Sequence, residues 1–468
     1  MKRILSIIVA LIVSFGAVAQ NPVGVWEGKL SVDPNMSMRL VIEITQDGED
    51  YNSKLISVDQ GNAEIQGTNT TFDNGSLTAT FSMIGAKYTA SVSSAELNGT
   101  FSQSGQQFPL VMTKSTSGEA TKIDRPQTPK APYSYNIEDV TFTNRIEGNA
   151  LSGTLTKPKD NGRIPAVVLV SGSGAQNRDS ELFNHKPFWV IADYLSRNGV
   201  AVLRFDDRGV GKSSKGEVGA TTDDLAHDAE AGVEYLRSRG EFSSVGVIGH
   251  SEGGLIAFLL AGDSRYITPD FIISMAGCGI VGADVLAYQT NYALSQIDIP
   301  QSERENAANT NRAIYDAILN SEELNAEVVA KVRKIAESSM PTTIDPQTAE
   351  KEIARVVQTA TAPWMYNFIK FNPAPIIEKI KCPVLALNGS LDRQVEASSN
   401  LLAIETALKR AGNKQYKIAE LKGLNHLFQK AESGDVAEYG EIEETVNVTA
   451  LEMLSEWINK YCCLVNQK

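Results

Sequence analysis

The sequence predicts an α/β protein: an eight-stranded, mostly parallel sheet covered by helices and a helical cap, preceded by a small all-β barrel or sandwich domain. Three observations predict it. From Gly24 to Lys114 short runs rich in Val, Ile, Thr, Tyr and Phe follow one another, parted by turn residues. Ser115 to Ser134 is rich in Ser, Thr, Lys, Gly and Pro and reads as a linker. After it, short apolar strands alternate with helical stretches, the rhythm of a sheet buried on both faces.

Taken in order, the chain opens on Lys2 and Arg3, an apolar stretch from Ile4 to Val18, and the small-x-small triplet Ala17-Val18-Ala19. This is the pattern of a cleavable signal peptide over residues 1–19, giving a periplasmic or secreted protein without stable membrane insertion. The all-β domain then spans 20–114, with eight expected strands at 26–32, 38–45, 53–58, 63–68, 77–82, 87–92, 96–102 and 108–113. Asp47-Gly48 and Asp73-Asn74-Gly75 mark two of its turns. Its opening Gly24-Val25-Trp26 resembles the start of lipocalin-like barrels. The domain reads as a ligand-holding barrel or as a structural or oligomerising accessory.

A linker at 115–135 leads to the second domain, 136–468. Eight strands are expected there, at 140–144, 151–156, 166–170, 200–205, 245–248, 271–276, 384–387 and 416–421. Residues 279–381, between the sixth and seventh, carry helical periodicity: Leu324, Val328, Val332 and Ile335 share one face, and Ile353, Val356 and Val357 another. An insertion there reads as a cap over the strand ends.

Composition narrows the function classes. The 468 residues carry a net charge of −13, and loss of Lys2 and Arg3 takes it to −15. With no basic run, nucleic acid is excluded as a partner. Four cysteines cannot make a disulfide framework. No His-x-x-x-His or Cys-x-x-Cys pair occurs, so neither a metal site nor a cofactor is expected. Gly172-Ser173-Gly174 lacks the third glycine of a dinucleotide fingerprint, and Gly211-Lys212-Ser213 lacks the first glycine of a phosphate loop, having Asp206 there.

The informative stretch is Gly249-His250-Ser251-Glu252-Gly253-Gly254, set between an apolar strand and an apolar helix. A serine on so sharp a turn exposes its hydroxyl at the sheet edge, and side chains at Gly249 and Gly253 would clash there. Ser251 is the expected nucleophile. It needs a base and an orienting acid, in the chain order Ser, Asp or Glu, His. Of the four histidines, His185, His227, His250 and His426, only His426 follows Ser251. Asp392 lies just after the seventh strand and is the expected acid, with Glu396 as rival. The oxyanion hole is expected from the backbone amides of Glu252 and Ser173, with Gly174 the alternative to Ser173. His250 is read as packing beside the nucleophile, His227 as a surface residue and His185 as lining the entrance. Trp364, Tyr366, Phe368 and Phe371 line an acyl pocket or pack the cap onto the core.

From Val140 onward the chain resembles the α/β-hydrolase superfamily, in its exported serine-aminopeptidase-like and acyl-esterase branch. The resemblance is carried by residues 168–174, Asp206-Asp207-Arg208-Gly209-Val210-Gly211-Lys212-Ser213, residues 249–254, and the Asp392 and His426 loops. Ser171 departs from it, standing where many relatives carry histidine. The resemblance implies hydrolysis of an ester, thioester or amide through an acyl-serine. The expected partner is a small-molecule ester; the alternative is an exopeptidase of prolyl-aminopeptidase type, holding a short peptide by cap glutamates Glu303, Glu305, Glu322 and Glu323.

Overall fold

The computed structural model describes residues 21–33, 36–59, 63–103, 105–115, 125–159, 162–341 and 343–465. The expected signal peptide lies outside them. The chain forms two compact units, divided between residues 122 and 123.

The first unit is an antiparallel sheet of nine strands among the described residues: β1 (Gly24–Asp33), β2 (Met36–Asp47), β3 (Asp50–Ser57), β4 (Ala63–Gln66), β5 (Asn69–Asp73), β6 (Ser76–Phe81), β7 (Ala86–Val92), β8 (Glu96–Gln103) and β9 (Gln106–Lys114). Its order is β4-β3-β2-β1-β9-β8-β7-β6-β5. The sheet rolls until β5 meets β3: Ser53 Oγ and Thr70 Oγ1 lie 2.7 Å apart, and the Gly67 amide donates to the Ser53 carbonyl at 2.8 Å. Alternation along β7 sends Ala86, Tyr88, Ala90 and Val92 inward. With Trp26, Leu30, Ile42, Leu55, Leu77 and Phe101 they fill the interior. The sequence expectation of eight strands misses β5. Asn-Thr-Thr-Phe-Asp is polar, and only its pairing with β6 across the Asn74-Gly75 turn, both residues at positive φ, makes it a strand.

The second unit holds β10 (Tyr135–Thr143), β11 (Ala150–Pro158), β12 (Ile164–Val170), β13 (Ala201–Phe205), β14 (Phe242–His250), β15 (Ile272–Met275), β16 (Val384–Gly389) and β17 (Tyr416–Leu421). Their order is β10-β11-β13-β12-β14-β15-β16-β17. β10 and β11 run antiparallel to their neighbours, and β13 through β17 are parallel. Every expected strand of this sheet is present. Successive residues of β12 enter opposite cores: Ala166, Val168 and Val170 one, Val167 and Leu169 the other.

Helices α1 (Pro187–Arg197), α2 (Thr222–Ser238) and α3 (Glu252–Gly262) alternate with the strands. The insertion forms α4 (Gly282–Ser295), α5 (Gln301–Leu319), α6 (Ala326–Ser339), α7 (Pro346–Ala360), α8 (Pro363–Lys370) and the short α9 (Ala374–Ile377). Its core gathers Ala283, Ile314, Ile318, Val328, Val332 and Ile369. Leu324 does not share the α6 face. It precedes the cap Asn325, whose side chain accepts from the Glu327 and Val328 amides, and it is exposed. Helices α10 (Ala397–Arg410) and α11 (Val448–Val465) complete the unit. No helix among the described residues is long and apolar enough to cross a membrane.

The latter part of the segment read as linker is fastened to this unit. The buried Arg125 guanidinium donates to the carbonyls of Phe183, Gly440 and Ile442, and Gln127 binds the backbone of Thr445 and Val446. Arg125→Ala would leave three carbonyls without this donor, that of Gly440 buried and those of Phe183 and Ile442 partly so. It is expected to cost about 3 kcal/mol in urea unfolding, and a loss below about 0.5 kcal/mol would contradict this role.

Candidate active site

The sheet order reverses at β12, whose partners β13 and β14 are reached in opposite directions, so the loops leaving β12 and β14 part and open a crevice. Val170 pairs with Gly249, which sets the loop after β12 beside the turn after β14. That turn is Ser251, at φ 55° and ψ −119°, a strained conformation for a residue with a side chain. Its neighbours must be glycine. A Cβ on Gly249 would lie 1.8 Å from the Gly253 carbonyl oxygen, and one on Gly253 2.2 Å from that of Val170. The Ser251 amide donates to the Met275 carbonyl at 2.8 Å, tying the turn to β15.

Two loops carry the other residues, and one of them brings His426 to the cavity that Ser251 lines. After β16, the Asp392 carboxylate accepts from the Gln394 and Val395 amides through Oδ1, each at 2.8 Å. Its Oδ2 meets His426 Nδ1 at 2.7 Å, and both side chains are buried. After β17, Asn425 Oδ1 holds the amides of Leu427 and Gln429, folding the His426 loop on itself. His426 and Ser251 line one cavity of about 250 Å³, together with Gly172, Ser173 and Glu252. Glu396, the rival acid, instead caps α10 by accepting from the Ser398 and Ser399 amides.

Glu252 opens α3, where first-turn amides have no intrahelical acceptor. Opposite it, Gly172 is pressed against the serine: a Cβ there would lie 3.1 Å from Ser251 Cβ. Ser173 follows. The loop carrying it is clamped by Asp207, which accepts from the Ser171 hydroxyl at 3.0 Å and the Gln176 amide at 2.9 Å. Burial pushes the Asp207 carboxyl up to about 7. Ser171, the departure from the family pattern, is thus the hydroxyl end of this clamp. Within the Asp-x-Arg-Gly turn that follows β13, Asp207 thereby sets the loop that bears Ser173.

The model of the family described as serine aminopeptidase, S33, matches residues 187–432, which is 246 of the chain's 468 residues. The chain belongs to this family. The matched span contains Ser251, Asp392 and His426. A curated relative, an esterase of Thermotoga maritima called EstD, is 26% identical over 303 residues, 64% of this chain. The match spans 62% of that relative's length. Among solved structures, an esterase of Pyrococcus furiosus is similar at a TM-score of 0.43 and 16% identity, over 74% of this chain and all of the other. Est1E of Butyrivibrio proteoclasticus, solved with ferulic acid, is similar at 0.39 and 18%, over 70% of this chain and all of the other.

Around the serine of this S33 member the cap and the core share a wall. Glu252 is buried, and its Oε1 accepts from Thr222 Oγ1 at 2.6 Å and from Trp364 Nε1 at 2.8 Å. Trp364 stacks on Phe368, and both line the cavity. The aromatic cluster divides there. Tyr366 packs within the cap, and Phe371 against the main core. Glu303, Glu305, Glu322 and Glu323 are exposed and are not among the residues lining the cavity.

The remaining histidines are structural. His250 Nε2 donates to the His426 carbonyl at 2.8 Å, steadying the loop of its neighbour, and burial holds its ring down at about 4. His227 bonds Glu230 on α2 at 3.2 Å. His185 does not line the entrance. It is fully buried, with Nδ1 2.8 Å from Thr445 Oγ1 and Nε2 3.0 Å from the Tyr439 carbonyl, because the loop before α1 folds inward.

Burial also holds His185 at about 4, below the ordinary 6.5. A depressed folded value means that its contribution to stability is present above 6.5 and is lost as pH falls through about 4. His185→Gln is therefore expected to destabilise the fold more at pH 7 than at pH 5 in urea unfolding. A gap between wild type and variant that widens on acidification would contradict the buried neutral ring.

Proposed function

We propose that this protein hydrolyses carboxylic esters, or thioesters, of small molecules through an acyl-serine intermediate on Ser251. The observation that carries the reading is the 2.7 Å contact between Asp392 and His426 Nδ1, made in the loops that bring His426 to the cavity of Ser251. With Nδ1 committed to Asp392, Nε2 is the nitrogen left to take the serine proton. Ser251 Oγ then bonds the ester carbonyl carbon. The carbonyl oxygen gains the negative charge and accepts from the Glu252 and Ser173 amides. When the C–O bond to the alcohol breaks, His426 gives its proton to the leaving oxygen. Water repeats the sequence on the acyl-enzyme, releasing the acid and returning the proton to Ser251.

The esterase name of the Thermotoga maritima relative supports an ester over an amide. The exposure of Glu303, Glu305, Glu322 and Glu323 argues against those cap glutamates as holders of a substrate amine. The deciding experiment compares kcat/KM on p-nitrophenyl acetate and butyrate with that on aminoacyl p-nitroanilides. At least a hundredfold preference for the esters is expected, and a preference for the anilides would overturn the reading in favour of the exopeptidase. The leader at 1–19 supports export, and the N-terminus of the exported protein is expected to read from Gln20.

A further inference from the structure

Beside the Ser251 cavity lies a second, larger one of about 660 Å³. Ser173 and Trp364 line both, whereas Ser251 and Glu252 line only the smaller. The lining of the larger chamber is predominantly apolar, with Ala175, Gly209, Gly219, Ala220, Leu225 and Trp364 contributing. Its charged residues do not reach for a ligand from the inner wall. Asp207 is engaged by Ser171 and Gln176, and Arg208 pairs with Asp228 and Glu147, each at 2.7 Å. Lys215 and Glu217 are exposed.

The positions of Ser173 and His426 decide what this chamber holds. In the tetrahedral intermediate the oxyanion faces the Ser173 and Glu252 amides, and the leaving oxygen must face His426, which protonates it. The acyl chain takes the remaining direction. His426, Leu427 and Gln394 line the smaller cavity, and none of them lines the larger. We infer that the larger chamber is the acyl site, and that the preferred substrates are esters of medium-chain or bulky apolar acids with small alcohols. Trp364 forms the partition, held by its bond to Glu252 and its stack on Phe368. A cavity of this size falls in the range of small-molecule sites, whereas the smaller cavity lies below it.

This inference rests on the ester-hydrolase reading, and the test separates the two. Acyl length is varied from acetate to dodecanoate on p-nitrophenol, and alcohol length is varied on acetate esters, for wild type and Ala220→Trp. Each methylene that enters the chamber is expected to raise kcat/KM by about fourfold, the ratio equivalent to burying one CH₂. Wild type should therefore favour octanoate over acetate by at least a hundredfold, with little response to alcohol length. The tryptophan narrows the chamber and should cut octanoate turnover at least tenfold while leaving acetate within about threefold. A wild-type profile that follows the alcohol, or a tryptophan variant that loses acetate and octanoate equally while still folded, would overturn the acyl assignment. The wild-type comparison decides even where a variant does not fold. Absence of turnover on every ester would instead overturn the ester-hydrolase reading, and this one with it.

Discussion

Replacing Ser251 with alanine is expected to lower kcat/KM on p-nitrophenyl butyrate by about a millionfold, with thermal stability within a few degrees of wild type. The serine is the only member of the constellation that bonds to substrate, so the base and the acid have nothing to act upon without it. Alanine fits the turn, whose close contacts fall on Gly249 and Gly253 and not on the Ser251 hydroxyl. A drop of less than about a hundredfold would place the nucleophile elsewhere. Measured on the purified protein at several butyrate concentrations, the effect should fall on kcat, because the binding walls are untouched.

Asp392→Asn is expected to lower kcat by about 10⁴-fold while changing KM little. The cause lies in which oxygen does what. Oδ1 accepts from two backbone amides, Gln394 and Val395, so an asparagine must turn its carbonyl oxygen there and its NH₂ toward His426. His426 Nδ1 then becomes an acceptor and the proton moves to Nε2, the nitrogen that must be free to take the serine's proton. The ring stays in place in the wrong tautomer. If Asp392→Asn kept more than about a tenth of wild-type kcat, the 2.7 Å contact would have no part in turnover.

Much of this is legible in the sequence. Gly249 and Gly253 flanking a serine between an apolar strand and an apolar helix state their own geometry, since only glycine tolerates the approaches of 1.8 and 2.2 Å. Chain order then selects His426, the one histidine beyond Ser251. The central strands of the second sheet are legible because both faces are buried, which leaves largely unbroken apolar runs such as those of β12, β13 and β15.

Other features depend on partners distant in sequence and left no local trace. Strand β5 is polar and is fixed by β6 and by contact with β3. His185 gives no sign in its neighbours that Thr445 and Tyr439, some 250 residues on, will enclose it. Arg125 sits in a stretch of linker composition, yet its acceptors lie at 183, 440 and 442. Asp207 belongs to a turn whose pattern announces structure, and its hold on the Ser173 loop follows from the β12 and β13 strand ends lying side by side.

Covalent labelling tests the central claim most directly. A fluorophosphonate reacts with a serine hydroxyl activated by an adjacent base, and peptide mass spectrometry reports where the phosphonyl group resides. One adduct per chain is expected, on Ser251, with labelling lost in Ser251→Ala and slowed by several orders of magnitude in Asp392→Asn. No adduct on the folded wild-type protein, or an adduct on another serine that survives Ser251→Ala, would contradict the account.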